Sequence, residues 1–158
     1  MSAVPTDFHL AQVNIARIKA PSFEDPAMLG FVSRVPEINA LADASEGFIW
    51  RLPQGEDDVY LRPYDDPRLL FNLSVWESIE HLQAFVYRST HVDFLRQREQ
   101  WFEALGQAHL ALWWIPADHH PGVDEANDRL SHLRRHGPTA YAFTPGRPFP
   151  AGLHAPMI

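Results

Sequence analysis

The chain has 158 residues, enough for one domain that buries about two-thirds of the surface its unfolded form exposes. With no cysteine it holds no disulfide, thiolate nucleophile, Cys-ligated zinc or iron–sulfur cluster, and a net charge of −7 disfavours nucleic acid and anionic membranes as partners. Met1–Asp7 lacks the basic start and apolar run of a signal peptide, and no stretch approaches the roughly 18 apolar residues that span a bilayer, so the expected location is the cytoplasm.

Leu10–Ala16 reads as a strand with two unlike faces. Ala11, Val13 and Ile15 are uniformly apolar, whereas Leu10, Gln12, Asn14 and Ala16 mix amides with apolar groups. Asp25-Pro26 supplies an N-cap and a first-turn proline, and Phe31, Val35, Ile38 and Ala42 recur at helical spacing toward Ser45 and Gly47, with Pro36 kinking or dividing the helix. Phe48–Leu52 is a short strand with Phe48, Trp50 and Leu52 on one side. Pro53–Arg68 is polar and acidic, with a candidate edge strand at Val59–Leu61. Leu69–Trp76 repeats the first strand's design: Leu69, Phe71, Leu73 and Val75 are apolar, while Leu70, Asn72, Ser74 and Trp76 are mixed.

Ser78 caps a helix bearing Ile79, Leu82, Phe85 and Val86, and Ser89-Thr90 starts another, with Asp93 three residues after Thr90 as in a capping box and Gly106 beyond its end. His109–Ile115 is the last strand, with Trp113 and Trp114 on opposite faces. Asp124–His136 is a helix with acidic residues early and Arg134, Arg135 and His136 late, complementing its dipole, and Gly137-Pro138 stops it. The domain thus spans 8–137, and the proline-rich tail, 138–158, is expected to be extended or disordered unless it lies along a partner surface.

Strand, helix, strand, strand, helix, strand and an added helix is the ferredoxin-like split βαβ order, an α+β fold with a four-stranded antiparallel sheet. Helices then cover one sheet face. The mixed face, with Trp50, Trp76 and Trp114 beside Leu10, Leu70, Leu110 and Leu112, would be too large an apolar patch to leave in water, and a second copy of the sheet is the simplest cover. Between the layers Gln12, Asn14, Asn72 and Ser74 require hydrogen-bond partners, which points to a wet or liganded pocket in a homodimer.

The segment Thr90–Leu105 carries the candidate chemistry. On a helix turning about 100° per residue, Leu95, Arg98, Phe102 and Leu105 fall within about 40° of His91, so His91 and Arg98 interrupt an otherwise apolar arc. His91 can serve as a general acid or base or as an axial haem ligand, and Arg98 can hold a carboxylate or enolate; the plainer alternatives are a hydrogen-bonded core histidine and a buried ion pair with the 53–68 loop. The vicinal His119-His120 reads as a solvated loop rather than a metal site. Asn39 and Trp76 fit helix-capping or core roles as well as ligand contact.

Several stretches then resemble a known family: Leu10 through Arg17 (LAQVNIAR), Ile38 through Ala42 (INALA), Gly47 through Leu52 (GFIWRL), Asn72 through Ser78 (NLSVWES) and Phe85 through Trp101-Phe102. Over about residues 8–143 the chain resembles the bacterial domain-of-unknown-function family 3291, itself similar to the dimeric α+β barrel superfamily of antibiotic-biosynthesis and haem-degrading monooxygenases. The resemblance implies the barrel. The haem-degrading pattern is not matched, because Phe85 stands where that branch uses a tryptophan and its histidine falls later in the helix than His91. Val75-Trp76-Glu77-Ser78 and the Ser89-x-His91 turn are more similar to the antibiotic-biosynthesis branch, which oxidises small aromatic substrates without metal or flavin.

The resulting expectation is a monooxygenase-like oxidoreductase acting on a hydrophobic, aromatic small molecule. His91 and Arg98 would be catalytic, and Asn14, Asn39, Trp50, Asn72, Trp76, Trp101 and Trp114 would line the substrate site. The alternatives are a haem protein with His91 as axial ligand, the cofactor being none or haem, and a noncatalytic small-molecule-binding or structural dimer.

Overall fold

Alternating side chains with one wholly apolar face make the strands pair into a single sheet. The computed structural model describes residues 7–22, 24–52, 68–89 and 100–151. Strands β1 (Phe8–Arg17), β2 (Phe48–Arg51), β3 (Leu69–Trp76) and β4 (Leu110–Pro116) are antiparallel in the order β2-β3-β1-β4, the ferredoxin-like arrangement expected from the order of elements. The described helical elements are a 3-10 turn (Pro26–Met28), α1 (Leu29–Val32), α2 (Val35–Asp43), α3 (Ile79–Ser89) and α4 (Val123–His136).

The uniformly apolar face packs under α4. Ala126, Leu130 and Leu133, spaced four and three residues apart, are buried against a cluster that includes Ala11, Val13, Phe71, Leu73, Trp113 and Ile115. Each such leucine contributes about 1.5–3 kcal/mol by leaving water. Asp124 and Glu125 begin the helix, Arg134, Arg135 and His136 end it, and Gly137 terminates it at φ 74°.

The mixed face is covered in part by elements of the chain itself. Leu10, Trp76 and Leu112 are buried by the chain's own Ala42 from α2, Leu82 from α3 and Phe143 from the tail. The reason is handedness: α2 connects β1 to β2, α3 follows β3, and crossovers of one hand return both helices to the same face. Apolarity alone does not choose that face.

Of the two outcomes expected at Pro36, a kink or a division, the helix is divided: α1 ends at Val32 and α2 restarts at Val35 with Pro36 in its first turn, where no amide donor is required. Two other local expectations are revised. The segment expected to stay helical to Leu105 has its last described helical residue at Trp101. There Lys19 N donates to Trp101 O at 2.8 Å and Glu103 N to Arg17 O at 2.8 Å, so the chain runs extended along the end of β1 and Phe102 and Leu105 leave the helical arc. The described part of the tail is held on its own chain: Leu112 and Phe143 exchange backbone hydrogen bonds of 2.8 Å in both directions, Phe143 is fully buried, and Trp114 Nε1 donates to Phe149 O at 2.8 Å. An edge strand's free amides and carbonyls attract such a segment. The candidate strand at Val59–Leu61 lies outside the described residues, as do His91 and Arg98.

Candidate ligand site between sheet and helices

Directly opposed residues of an antiparallel pair point to the same face, so the registers arrange the helix-facing side into rows. One row is aromatic and apolar, Phe48–Trp76–Leu10–Trp114; the next is Arg51–Ser74–Gln12–Leu112; the third is Asn72–Asn14–Leu110. A floor of amides and a hydroxyl thus lies beside an aromatic wall.

The floor is internally bonded. Gln12 Nε2 donates to Asn72 Oδ1 at 2.7 Å and to Ser74 Oγ at 2.8 Å, and Trp76 Nε1 donates to the same Ser74 Oγ at 2.9 Å. Gln12 is 6 % exposed and Ser74 7 %, whereas Asn72 is exposed and Asn14 half-buried, so the cluster runs from the interior to the surface. The Asn14 amide has no hydrogen-bond partner among the described residues. Trp76 stacks on Phe85 of α3 with centroids 5.1 Å apart and takes Phe48 edge-on at 5.4 Å, which fixes the wall. At the other side of the row Arg51 makes a two-point contact with Asp43 of α2, Nε–Oδ1 2.9 Å and Nη2–Oδ2 3.2 Å. The hydrogen bond from Arg51 holds the Asp43 carboxyl below its ordinary pKa.

Asn14, Asn72 and Trp76 are therefore brought together as expected. Asn39 is half-buried one turn before Asp43 on α2, on the helix side of the row. Trp50 is not part of the group. A register irregularity between Phe48 and Trp50 sets Trp50 opposite Val75, so its ring moves to the other face and stacks on His120 at 4.6 Å. The same bulge brings Arg51 into the site row. Trp101 belongs to a separate cluster with Ile18, Met28 and Phe31, lying 5.6 Å from the Phe31 ring. Trp114 faces the helices, but its indole N–H is committed to Phe149 O.

Sequence reasoning placed Gln12 and Ser74 on the mixed face without making them site residues. Their signal was two buried-strand polar groups sharing parity with Asn14 and Asn72. Arg51 had no such signal, because a one-residue bulge is invisible in strand alternation.

Two other polar groupings have structural explanations. Ser78 Oγ lies 2.7 Å from His81 Nδ1, and His81 Nε2 lies 3.4 Å from Glu46, but Ser78 Oγ also accepts from His81 N at 3.2 Å and is the buried cap of α3. His119 Nε2 lies 2.6 Å from Glu125 Oε1, whose other oxygen accepts from Trp113 Nε1 at 2.9 Å, tying the loop before α4 to β4. Among the described residues no three His, Cys, Asp or Glu side chains are placed to hold a metal ion, and no helix is long and apolar enough to cross a membrane.

The family model described as "Domain of unknown function (DUF3291)" matches residues 9–156, which takes in the tail as well as the sheet. No curated protein matches the chain. Among solved structures, SnoaB, a cofactor-independent oxygenase from Streptomyces nogalater, is similar at 15 % identity and TM-score 0.41 over 71 % of this chain and 95 % of that one. PA3566 from Pseudomonas aeruginosa is similar at 14 % identity and TM-score 0.35 over 73 % of this chain and 97 % of its own.

Proposed function

Starting from a chain that belongs to the DUF3291 family, we propose that its cleft between sheet and helices binds a hydrophobic, aromatic small molecule and oxidises it in a monooxygenase-like reaction. The observation that carries the reading is the polar floor of Gln12, Asn14, Asn72 and Ser74 set beside the Trp76–Phe85 stack, since a few convergent polar groups in an apolar, aromatic surround are what orient a planar ligand. Asn14 and Asn72 bond the ligand's oxygens, Trp76 forms the flat wall, and Asn39 closes the helix side. His91 and Arg98 keep their proposed roles, a proton carrier and an anion holder. In balanced form a benzylic CH2 becomes a carbonyl, one atom of O2 entering the product and the other leaving as water with the two hydrogens removed.

The test is oxygen uptake by the full chain with anthrone as the probe, with product mass read alongside. Uptake of one O2 per product, strongly reduced in Asn72→Ala, supports the reaction. Anthrone that binds without oxidation, measured by titration, leaves a binder and removes the enzyme.

A second reading also has a specific observation behind it. Gln12, Asn72, Ser74 and Trp76 largely satisfy one another, as they would in a noncatalytic binding or structural domain. In that case Gln12→Leu lowers the melting temperature, by orphaning buried partners, while no ligand changes it. Haem ligation rests on His91. Among the described histidines, His81 stands on a helix flanking the cleft, and its ring is engaged by Ser78 and Glu46. The homodimer remains part of the proposal, through a surface other than the mixed sheet face; light scattering in solution should return about twice 18.0 kDa.

A further inference from the structure

We infer that the Ser74 hydroxyl is the cleft's buried hydrogen-bond donor to a carbonyl-type acceptor oxygen of the ligand, held in that role by Gln12. The inference rests on the proposal that the cleft binds a small molecule, and it names the group that selects for oxygen. A hydroxyl has one hydrogen and two acceptor positions. Both acceptor positions of Ser74 Oγ are filled, by Gln12 Nε2 at 2.8 Å and Trp76 Nε1 at 2.9 Å. Neither partner can take a proton back, because an indole N–H and an amide NH2 only donate.

The remaining neighbour in the row gives the same answer. Ser74 is opposed on β2 by Arg51, whose guanidinium has no acceptor. With its amide nitrogen toward Ser74, Gln12 uses its other amide hydrogen on Asn72 Oδ1 at 2.7 Å. Among the described residues no acceptor receives the Ser74 proton, although the residue is 93 % buried by its 7 % exposure. A buried donor left without an acceptor is unfavourable, so an acceptor from outside the floor is favoured there. Asn72, directly linked to Gln12 and exposed, offers a second N–H pair beside it. Two neutral donors, with the neighbouring Arg51 guanidinium committed to the Asp43 carboxylate, suit a neutral carbonyl oxygen rather than a carboxylate.

The experiment compares 1-tetralone with tetralin, which share a skeleton and differ by the carbonyl, titrated calorimetrically into the full chain and into two variants. Ser74→Ala removes the donor. Gln12→Glu keeps the hydroxyl but replaces a donor with a carboxylate that only accepts, so the Ser74 proton turns toward residue 12 and away from the cleft. The affinity ratio of tetralone to tetralin should fall about fivefold in each variant relative to the parent, the scale of one net hydrogen bond. The indole N–H resonance of Trp76 should shift in Ser74→Ala, which reports the Ser74 contact without any ligand. A ratio unchanged in Gln12→Glu overturns the inference, because that is the behaviour of a hydroxyl already bonded to residue 12 in the parent. A parent that binds both compounds with a ratio no variant alters overturns Ser74 while leaving the cleft as a ligand site. A parent that binds neither overturns both.

Discussion

Gly47→Ala probes the corner where α2 hands over to β2 and α3 begins. Gly47 has φ +82°, and a β-carbon there would lie 2.2 Å from His81 Cγ and 2.6 Å from His81 Cβ. The backbone conformation alone costs a non-glycine residue about 1–2 kcal/mol. His81 cannot yield by bending its far end, since the clash is at the stem, so the ring must leave and give up its 2.7 Å contact with Ser78, worth about 1 kcal/mol. The sum is about 2–3 kcal/mol. Gly106→Ala is the control: φ is +70° and nothing lies within 4 Å of the added carbon, so only the backbone cost of about 1–2 kcal/mol applies. Urea unfolding at constant slope reads both. In a His81→Gly background, which removes the β-carbon as well as the ring, Gly47→Ala should fall to the level of Gly106→Ala, a coupling that a double-mutant cycle isolates. Equal cost of Gly47→Ala in both backgrounds would refute the steric account.

Phe143→Ala should destabilise by about 3–5 kcal/mol, because the ring is fully buried between β4 and the helices, and limited proteolysis should then cut the tail before the sheet. His132 packs on Tyr141 and His136, and burial, together with the neighbouring cations, lowers its pKa from 6.5. A depressed histidine favours the neutral form on folding, so this stability is present above pH 6.5 and is lost as pH falls from there through the folded-state value; His132→Phe should flatten that part of a stability–pH curve. The Asp43 carboxyl is depressed by Arg51, so its contribution is present above the unfolded value of 3.8 and lost as pH falls through the lower folded value. With Asp43 49 % and Arg51 29 % exposed the effect is small, well under about 1 kcal/mol, and Asp43→Asn should remove it from the acid limb of the melting curve.

The fold was legible in the chain because its signals are local. Alternation in Leu10–Ala16 and Leu69–Trp76, the Ser78 cap, the early-acidic and late-basic residues of α4 and the Gly137 stop all act over a few residues, and the order of elements leaves few topologies. Part of the site was legible for the same reason, since Asn14, Asn72 and Trp76 share strand parity and register only had to align them.

What parity could not supply was decided in three dimensions. The hand of the crossovers set the helices on the mixed face, so the polar floor lies beside side chains of the same chain. One bulge exchanged Trp50 for Arg51 across the sheet, and the open edge of β4 captured a proline-rich segment whose composition reads as extended or disordered. Composition and periodicity determined which residues leave water; handedness, register and edge pairing, which depend on contacts distant in sequence, determined which of them meet.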